Sequence, residues 1–118
     1  MCSSTAMSWK SYSRRSDIVI IVLSTYPDKE KAEDAAQKAV EKDLAACVNI
    51  VKVENSVYKW KGETEKHPEY LLIMKTAEKR YSELESFIKE HHPYEVPEII
   101  YYEIKGGNKD YIDWVSGR

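Results

Sequence analysis

His91-His92-Pro93-Tyr94-Glu95-Val96-Pro97-Glu98 brings two imidazoles, a phenol, two carboxylates and two prolines into one short stretch. Imidazole nitrogen is a ligand for zinc and copper, and an imidazole beside a carboxylate can also move protons. The two prolines fix their own φ and restrict the residues before them, so the stretch is predicted to be rigid. A rigid polar connection is a common place for a binding site.

Further candidates lie upstream. Cys47, His91 and His92 are the soft or borderline metal ligands, together suited to copper or zinc. No C-x-x-C or H-x-x-x-H spacing is present, so a metal site must be assembled from distant segments or across subunits. Each residue also has a plainer reading. Cys47, between Ala46 and Val48, reads first as a small packed strand residue and only second as a ligand. His91 lies near the apolar stripe of Phe87 and Ile88 and suits a helix end, where it would meet the last carbonyls. His92 precedes a proline outside the helix and is the better ligand candidate. His67, in Lys66-His67-Pro68, reads as a solvated loop residue. Tyr94, Glu95 and Glu98 suit an acid/base site or, more simply, hydrogen bonds at a subunit seam. Lys75 suits an anion near a helix start at Thr76, or plain solvation at a strand end. Trp60, Lys61 and Glu63 form a hairpin tip whose tryptophan suits a partner's hot spot or, more simply, packing against a neighbouring subunit.

The elements that must position these groups alternate in type. Ile18–Leu23 is an unbroken apolar run, predicted to be a strand buried on both faces. Ser24–Asp28 is predicted to be a turn with helix-start chemistry. Ala35, Ala36, Ala39, Val40 and Leu44 then follow at helical spacing. Residues 46–60 read as a long strand with a defect. Apolar side chains fall on even positions through Ile50, on odd positions from Val51 to Val57, and on even positions again at Tyr58 and Trp60. One residue of slip flips every side chain, so the pattern predicts a bulge or a far half packed outside its own core. Lys61-Gly62 suits a hairpin turn, and a return strand ends in Tyr70–Met74. Tyr81, Leu84, Phe87 and Ile88 mark a second helix, closed by Pro93. Ile99–Ile104 is a fourth strand, Gly106-Gly107 breaks it, and Asn108 is predicted to cap a short helix through Trp114. The order β-α-β-β-α-β plus a terminal helix is the ferredoxin-like α+β pattern. Two helices cover one face of a four-stranded sheet, yet strands one and three are apolar on both. Another copy of the chain is the simplest cover for the second face.

Composition excludes several classes. The 118 residues suit one domain, assigned to 17–118, after a tail at 1–16. A net charge of -2 without a basic stripe argues against a nucleic-acid partner, and no apolar run suits membrane insertion. Two cysteines, Cys2 and Cys47, do not make a disulfide scaffold, and their use suits a reducing, cytoplasmic compartment. Residues 1–16 carry Lys10, Arg14 and Arg15 and no acid, which faintly resembles an organelle transit segment; a plain leader is the simpler reading. Signatures of hydrolases and phosphate-loop enzymes are missing, so the chain reads as non-enzymatic. The loop after strand one has no arginine of the acylphosphatase kind. The aliphatic central strands do not suit RNA recognition.

Ala45–Ile50, Ser56–Glu63, Met74-Lys75-Thr76, His91–Ile99, Asn108 and Tyr111–Trp114, in this order and spacing, resemble the CutA family of divalent-cation tolerance proteins over residues 18–115. The resemblance implies a homotrimer whose long hairpins join sheets between subunits, and a response to divalent cations, copper above all. It implies a metal site at His92 with Cys47 and Glu95, and an intersubunit cleft involving Tyr58, Trp60, Lys75, Tyr94, Glu98 and Trp114. No cofactor is required beyond copper(II) or a similar divalent ion. Some relatives carry a second thiol where this chain has Ser24. A trimeric scaffold that binds a small effector or a protein, as PII signalling proteins do in outline, is the alternative.

Overall fold

A computed structural model describes residues 18–117. The tail assigned to 1–16, with Cys2, lies outside the described residues. The elements are β1 (Val19–Tyr26), α1 (Lys29–Glu41), β2 (Cys47–Trp60), β3 (Glu63–Ala77), a 3-10 turn (Glu78–Arg80), α2 (Tyr81–His91), β4 (Ile100–Glu103) and α3 (Lys109–Ser116). The sheet order is β2-β3-β1-β4, every neighbour antiparallel. This is the expected ferredoxin-like α+β arrangement.

Each helix is built from the signals the chain carries. Asp28 caps α1 by accepting from the Lys31 N–H at 2.8 Å. Ala32, Ala35, Ala36 and Ala39 are buried at one-turn spacing, and their small side chains let the helix lie close on the sheet. Val40, expected on that stripe, points outward at 40% exposure. α2 buries Leu84, Phe87 and Ile88. It ends at His92, whose ψ of 136° is the extended backbone that a following proline imposes. Asn108 caps α3 by accepting from the Tyr111 N–H.

Two expectations at the strand ends are corrected. Ser24, Thr25 and Tyr26 belong to β1, not to a turn, because they continue the ladder opposite Leu72, Leu71 and Tyr70. Thr76 lies inside β3, fully buried, where its Oγ1 donates to the Leu44 carbonyl at 2.8 Å, so it starts no helix.

The sheet has unlike faces. Ile20, Val22, Tyr26, Leu72 and Met74 face the helices and form the main core with the α1 alanines and the α2 stripe. On the other face α3 covers Val19 with Ile112 and Val115. The rest of that face holds half-buried Ile21, Leu23, Leu71 and Ile73. By register Val51, Ile100 and Tyr102 flank them at 44%, 55% and 53% exposure.

β2 and β3 run past the core as an arm, and the overall extents are 56 × 27 × 22 Å. The predicted defect is a bulge. Val53 pairs with Glu69 and Ser56 with His67, so Glu54 and Asn55 together oppose Pro68. A proline has no N–H for the ladder, so it is tolerated where the ladder is already broken. At the tip Lys61 and Gly62 both have positive φ, 52° and 84°. That is the two-residue turn whose twist matches a hairpin, and glycine supplies its second position without strain.

Candidate functional site: the cleft at the base of the arm

The linker after α2 is clasped to the end of β1. The His92 Nε2–H donates to the Thr25 carbonyl at 2.7 Å. A carbonyl can only accept, so Nε2 carries the proton and Nδ1 keeps its lone pair. That lone pair accepts from the Tyr94 N–H at 3.1 Å. The ring also lies 4.2 Å from that of Tyr26 and 4.9 Å from that of Tyr94. Burial holds the imidazole below its ordinary pKa, against smaller opposing effects of the Thr25 carbonyl and the Glu69 charge. His92 is thus a neutral ring with both nitrogens engaged.

The clasp delivers Tyr94 to Glu69. The Tyr94 Oη donates to Glu69 Oε2 at 2.6 Å. Burial, then the Glu69 carboxylate, pushes the phenol well above its ordinary range. Glu69 itself is 5% exposed. It sits on β3 beside the bulge, on the open face of the sheet. Its charge adds to burial in raising the carboxyl of Glu98, which is on the exposed side of the linker. Among the described residues no salt bridge forms to Glu69, Glu95 or Glu98.

These groups line a cavity of about 530 Å³. Ser56, Val57, Tyr58, Trp60 and Lys61 come from the arm. Pro93, Tyr94, Glu95, Val96 and Glu98 come from the linker, and β1 and β3 contribute Thr25 and Glu69. Three acidic residues and one lysine thus line the cavity, and the Lys61 Nζ lies 5.7 Å over the Trp60 ring. The fold thus gathers Tyr58, Trp60, Tyr94, Glu95 and Glu98 around one cavity.

Three other candidates lie elsewhere. Cys47, a half-buried free thiol, pairs with Lys75 on β3. The Thr25 that holds His92 pairs with Leu71. Four residues along the ladder and two strand spacings across it put Cys47 and His92 of one chain roughly 16 Å apart. Among the described residues no group of three or more His, Cys, Asp or Glu is placed to hold a metal. Lys75 is not in the cleft, because it lies six residues beyond Glu69 in an extended strand, with its Nζ 6.0 Å over the Tyr111 ring. Trp114, 55% exposed, is beside Tyr111 on α3 at that same far end. Ser24 is fully buried on the helix-facing side.

Glu69 and Thr25 are the site residues that sequence reasoning missed. Glu69 reads as one more charge in the run Glu63–Glu69. Its available signal is its position between Pro68 and the apolar run Tyr70–Met74, where a carboxylate starts to enter the core.

A family model described as CutA1 divalent ion tolerance protein matches residues 20–118. The chain belongs to the CutA family of divalent-cation tolerance proteins. The Divalent-cation tolerance protein CutA of Thermus thermophilus is 44% identical over 95 residues, covering 80% of this chain and 92% of that protein. Protein CutA 1, chloroplastic, of Oryza sativa is 44% identical over 97 residues, covering 82% of this chain and 55% of that longer protein. Among solved structures, CutA1 from Oryza sativa aligns with a TM-score of 0.82 at 42% identity, over 85% of this chain and 92% of that one. The periplasmic divalent cation tolerance protein CutA of Archaeoglobus fulgidus aligns at 0.81 and 34% identity, over 84% and 96%. Named CutA proteins thus include chloroplastic and periplasmic forms. Among the described residues no helix is long and apolar enough to cross a membrane.

Proposed function

We propose that this CutA chain acts in divalent-cation tolerance as a non-enzymatic homotrimer that takes copper(II) or a similar ion at the cleft carboxylates of Glu69 and Glu98, with the remaining ligands supplied across the subunit seam. The observation that carries the reading is Glu69, a residue 5% exposed that among the described residues forms no salt bridge and whose charge reaches Glu98. Like charges held together favour either a proton or a bound cation. For an oxygen-rich site the first-row affinity order peaks at copper(II). His92 in this reading is the clasp that holds Tyr94 and the linker in place. Cys47 serves as a ligand where a neighbouring subunit brings it to a cleft. Assembly is supported by the apolar strip of the open sheet face, which adjoins the cleft. A free thiol at Cys47 suits the reducing cytoplasm.

The test combines light scattering with copper(II) calorimetry on the wild type and Glu98→Gln. The expected result is a trimer mass for both and saturable binding that weakens about tenfold, the equivalent of about 1.4 kcal/mol, in the variant. A monomeric wild type contradicts the assembly, and equal copper affinity in the two proteins contradicts the carboxylate site. The size of the cavity also favours a second reading, a cleft that binds a small organic effector.

A further inference from the structure

We infer that His67 is the nitrogen ligand of the cation site at Glu69, where its Nδ1 and the Glu69 carboxylate together select a borderline ion such as copper(II) or zinc over a hard one. The inference rests on the reading of Glu69 and Glu98 as a cation site and names the residue that sets which cation the site takes.

Strand geometry is the first argument. His67 reads from the sequence as a solvated loop residue, yet it lies within β3, opposite Ser56. Successive side chains of a strand alternate between faces, so Glu65, His67 and Glu69 share one face of β3. The irregularity of the ladder falls on β2, where Glu54 and Asn55 oppose Pro68, and β3 runs on unbroken. Two residues of strand put His67 and Glu69 roughly 7 Å apart at the backbone. Ligand bonds of about 2.0–2.2 Å on each side bring the two side chains within reach of one ion.

The tautomer is the second argument. The His67 Nε2–H donates to Glu65 Oε1 at 2.9 Å. A carboxylate accepts, so in the neutral ring Nε2 carries the proton and Nδ1 keeps its lone pair. The two nitrogens of an imidazole point to nearly opposite sides of the ring. Glu65 is two residues before His67 and Glu69 two residues after it, so the Nδ1 lone pair is turned to the Glu69 side. A ring whose other N–H is held by a carboxylate is the common arrangement of a metal-bound histidine. His92, by contrast, has both nitrogens engaged.

The donor set is the third argument. Glu69 Oε2 accepts from the Tyr94 hydroxyl, and among the described residues its Oε1 has no hydrogen bond. Carboxylates alone suit hard ions such as manganese(II), whereas an added imidazole suits copper and zinc. As the side chains stand, no three ligand groups converge among the described residues, so the exposed Glu98 turns in to close on the ion. A neighbouring subunit laid along the arm in the trimer shuts water from this face and adds ligands, and the His67–Glu69 pair needs no free surface.

The experiment is copper(II) electron paramagnetic resonance on the full chain, with calorimetric titration of copper(II) and of manganese(II) on the same samples. The proteins are the wild type, His67→Gln, His91→Gln and Glu98→Gln, with light scattering and circular dichroism to compare mass and fold. His67 is exposed, and glutamine keeps a donor for Glu65 while removing the Nδ1 lone pair. The wild type is expected to show coupling of copper to one imidazole nitrogen. His67→Gln loses that coupling and binds copper(II) about tenfold more weakly, with manganese(II) affinity unchanged, and His91→Gln keeps both. Copper bound by the wild type without nitrogen coupling overturns the inference and leaves the carboxylate reading standing, as does coupling that survives in His67→Gln. An equal loss of copper(II) and manganese(II) affinity in His67→Gln shows a structural role and overturns it as well. Coupling lost in His67→Gln, with copper affinity untouched by Glu98→Gln, supports the His67–Glu69 pair and removes Glu98 from the site. No saturable copper binding by the folded wild type overturns both readings.

Discussion

The Tyr94 hydroxyl donates to the Glu69 carboxylate at 2.6 Å, joining two positions 25 residues apart. Glu69, on β3, is nearly closed to solvent, and Tyr94 lies on the linker after α2. The bond therefore fixes the distance between the linker and the arm, which is the width of the cleft. Tyr94→Phe leaves the buried carboxylate without its donor, at a cost of about 1–3 kcal/mol. Urea denaturation of wild type and variant measures it, with a drop in midpoint at unchanged slope expected.

His92 predicts an acid-side loss of stability. Burial lowers its folded pKa below the ordinary histidine value of 6.5, so the unfolded chain takes up the proton first as pH falls. The contribution is complete above the unfolded pKa and disappears as pH falls through the folded one. His92→Gln, which cannot titrate, flattens the pH dependence of stability below about 6.5. Unfolding midpoints from pH 8 to pH 5 for both proteins check this, and parallel curves contradict it.

Glu98 titrates in the opposite sense. Its carboxyl is raised above 4.5, so its contribution to stability is full below that value and is lost as pH rises through the folded pKa. Glu98→Gln therefore makes the metal-free protein more stable at pH 7. The gain is about 0.5 kcal/mol or less, because the side chain is exposed and screened. The difference vanishes below pH about 4.5. A binding carboxylate that costs stability is the expected signature of a functional site.

The open sheet face predicts assembly. Ile100 is 55% exposed in the single chain and pairs with Leu23. Ile100→Glu puts an unpaired charge in the apolar strip while leaving the main core untouched. Light scattering is expected to give a monomer mass with the circular dichroism of the folded chain. A trimer mass in the variant contradicts assembly through this face.

Much of the framework was legible because local signals carried it. The shift of apolar positions along residues 46–60 marked the bulge, which the register puts between Val53 and Ser56, after the first change of parity at Val51. The Lys61-Gly62 turn, the Asn108 cap and the end of α2 before Pro93 are short-range consequences of backbone chemistry. The cleft was half legible. Tyr58, Trp60, Tyr94, Glu95 and Glu98 lie in two segments whose composition stood out. Glu69 did not, because its burial arises only when β3 pairs with both neighbours and the linker folds back over it. Lys75 was grouped with the cleft because nothing local tells how far a strand carries a side chain. Six residues of extended chain take it roughly 20 Å from Glu69. His92 shows the limit of ligand type as evidence, since the Thr25 carbonyl that takes its proton is 67 residues away.

The central claim is that the carboxylates of Glu69 and Glu98 hold the cation. The most direct test is a copper-soaked crystal measured at the copper absorption edge. The account predicts an anomalous peak in the cleft between Glu69 and Glu98, lost in crystals of Glu98→Gln. A peak at Cys47 alone, or a cleft peak unchanged by the substitution, would contradict it.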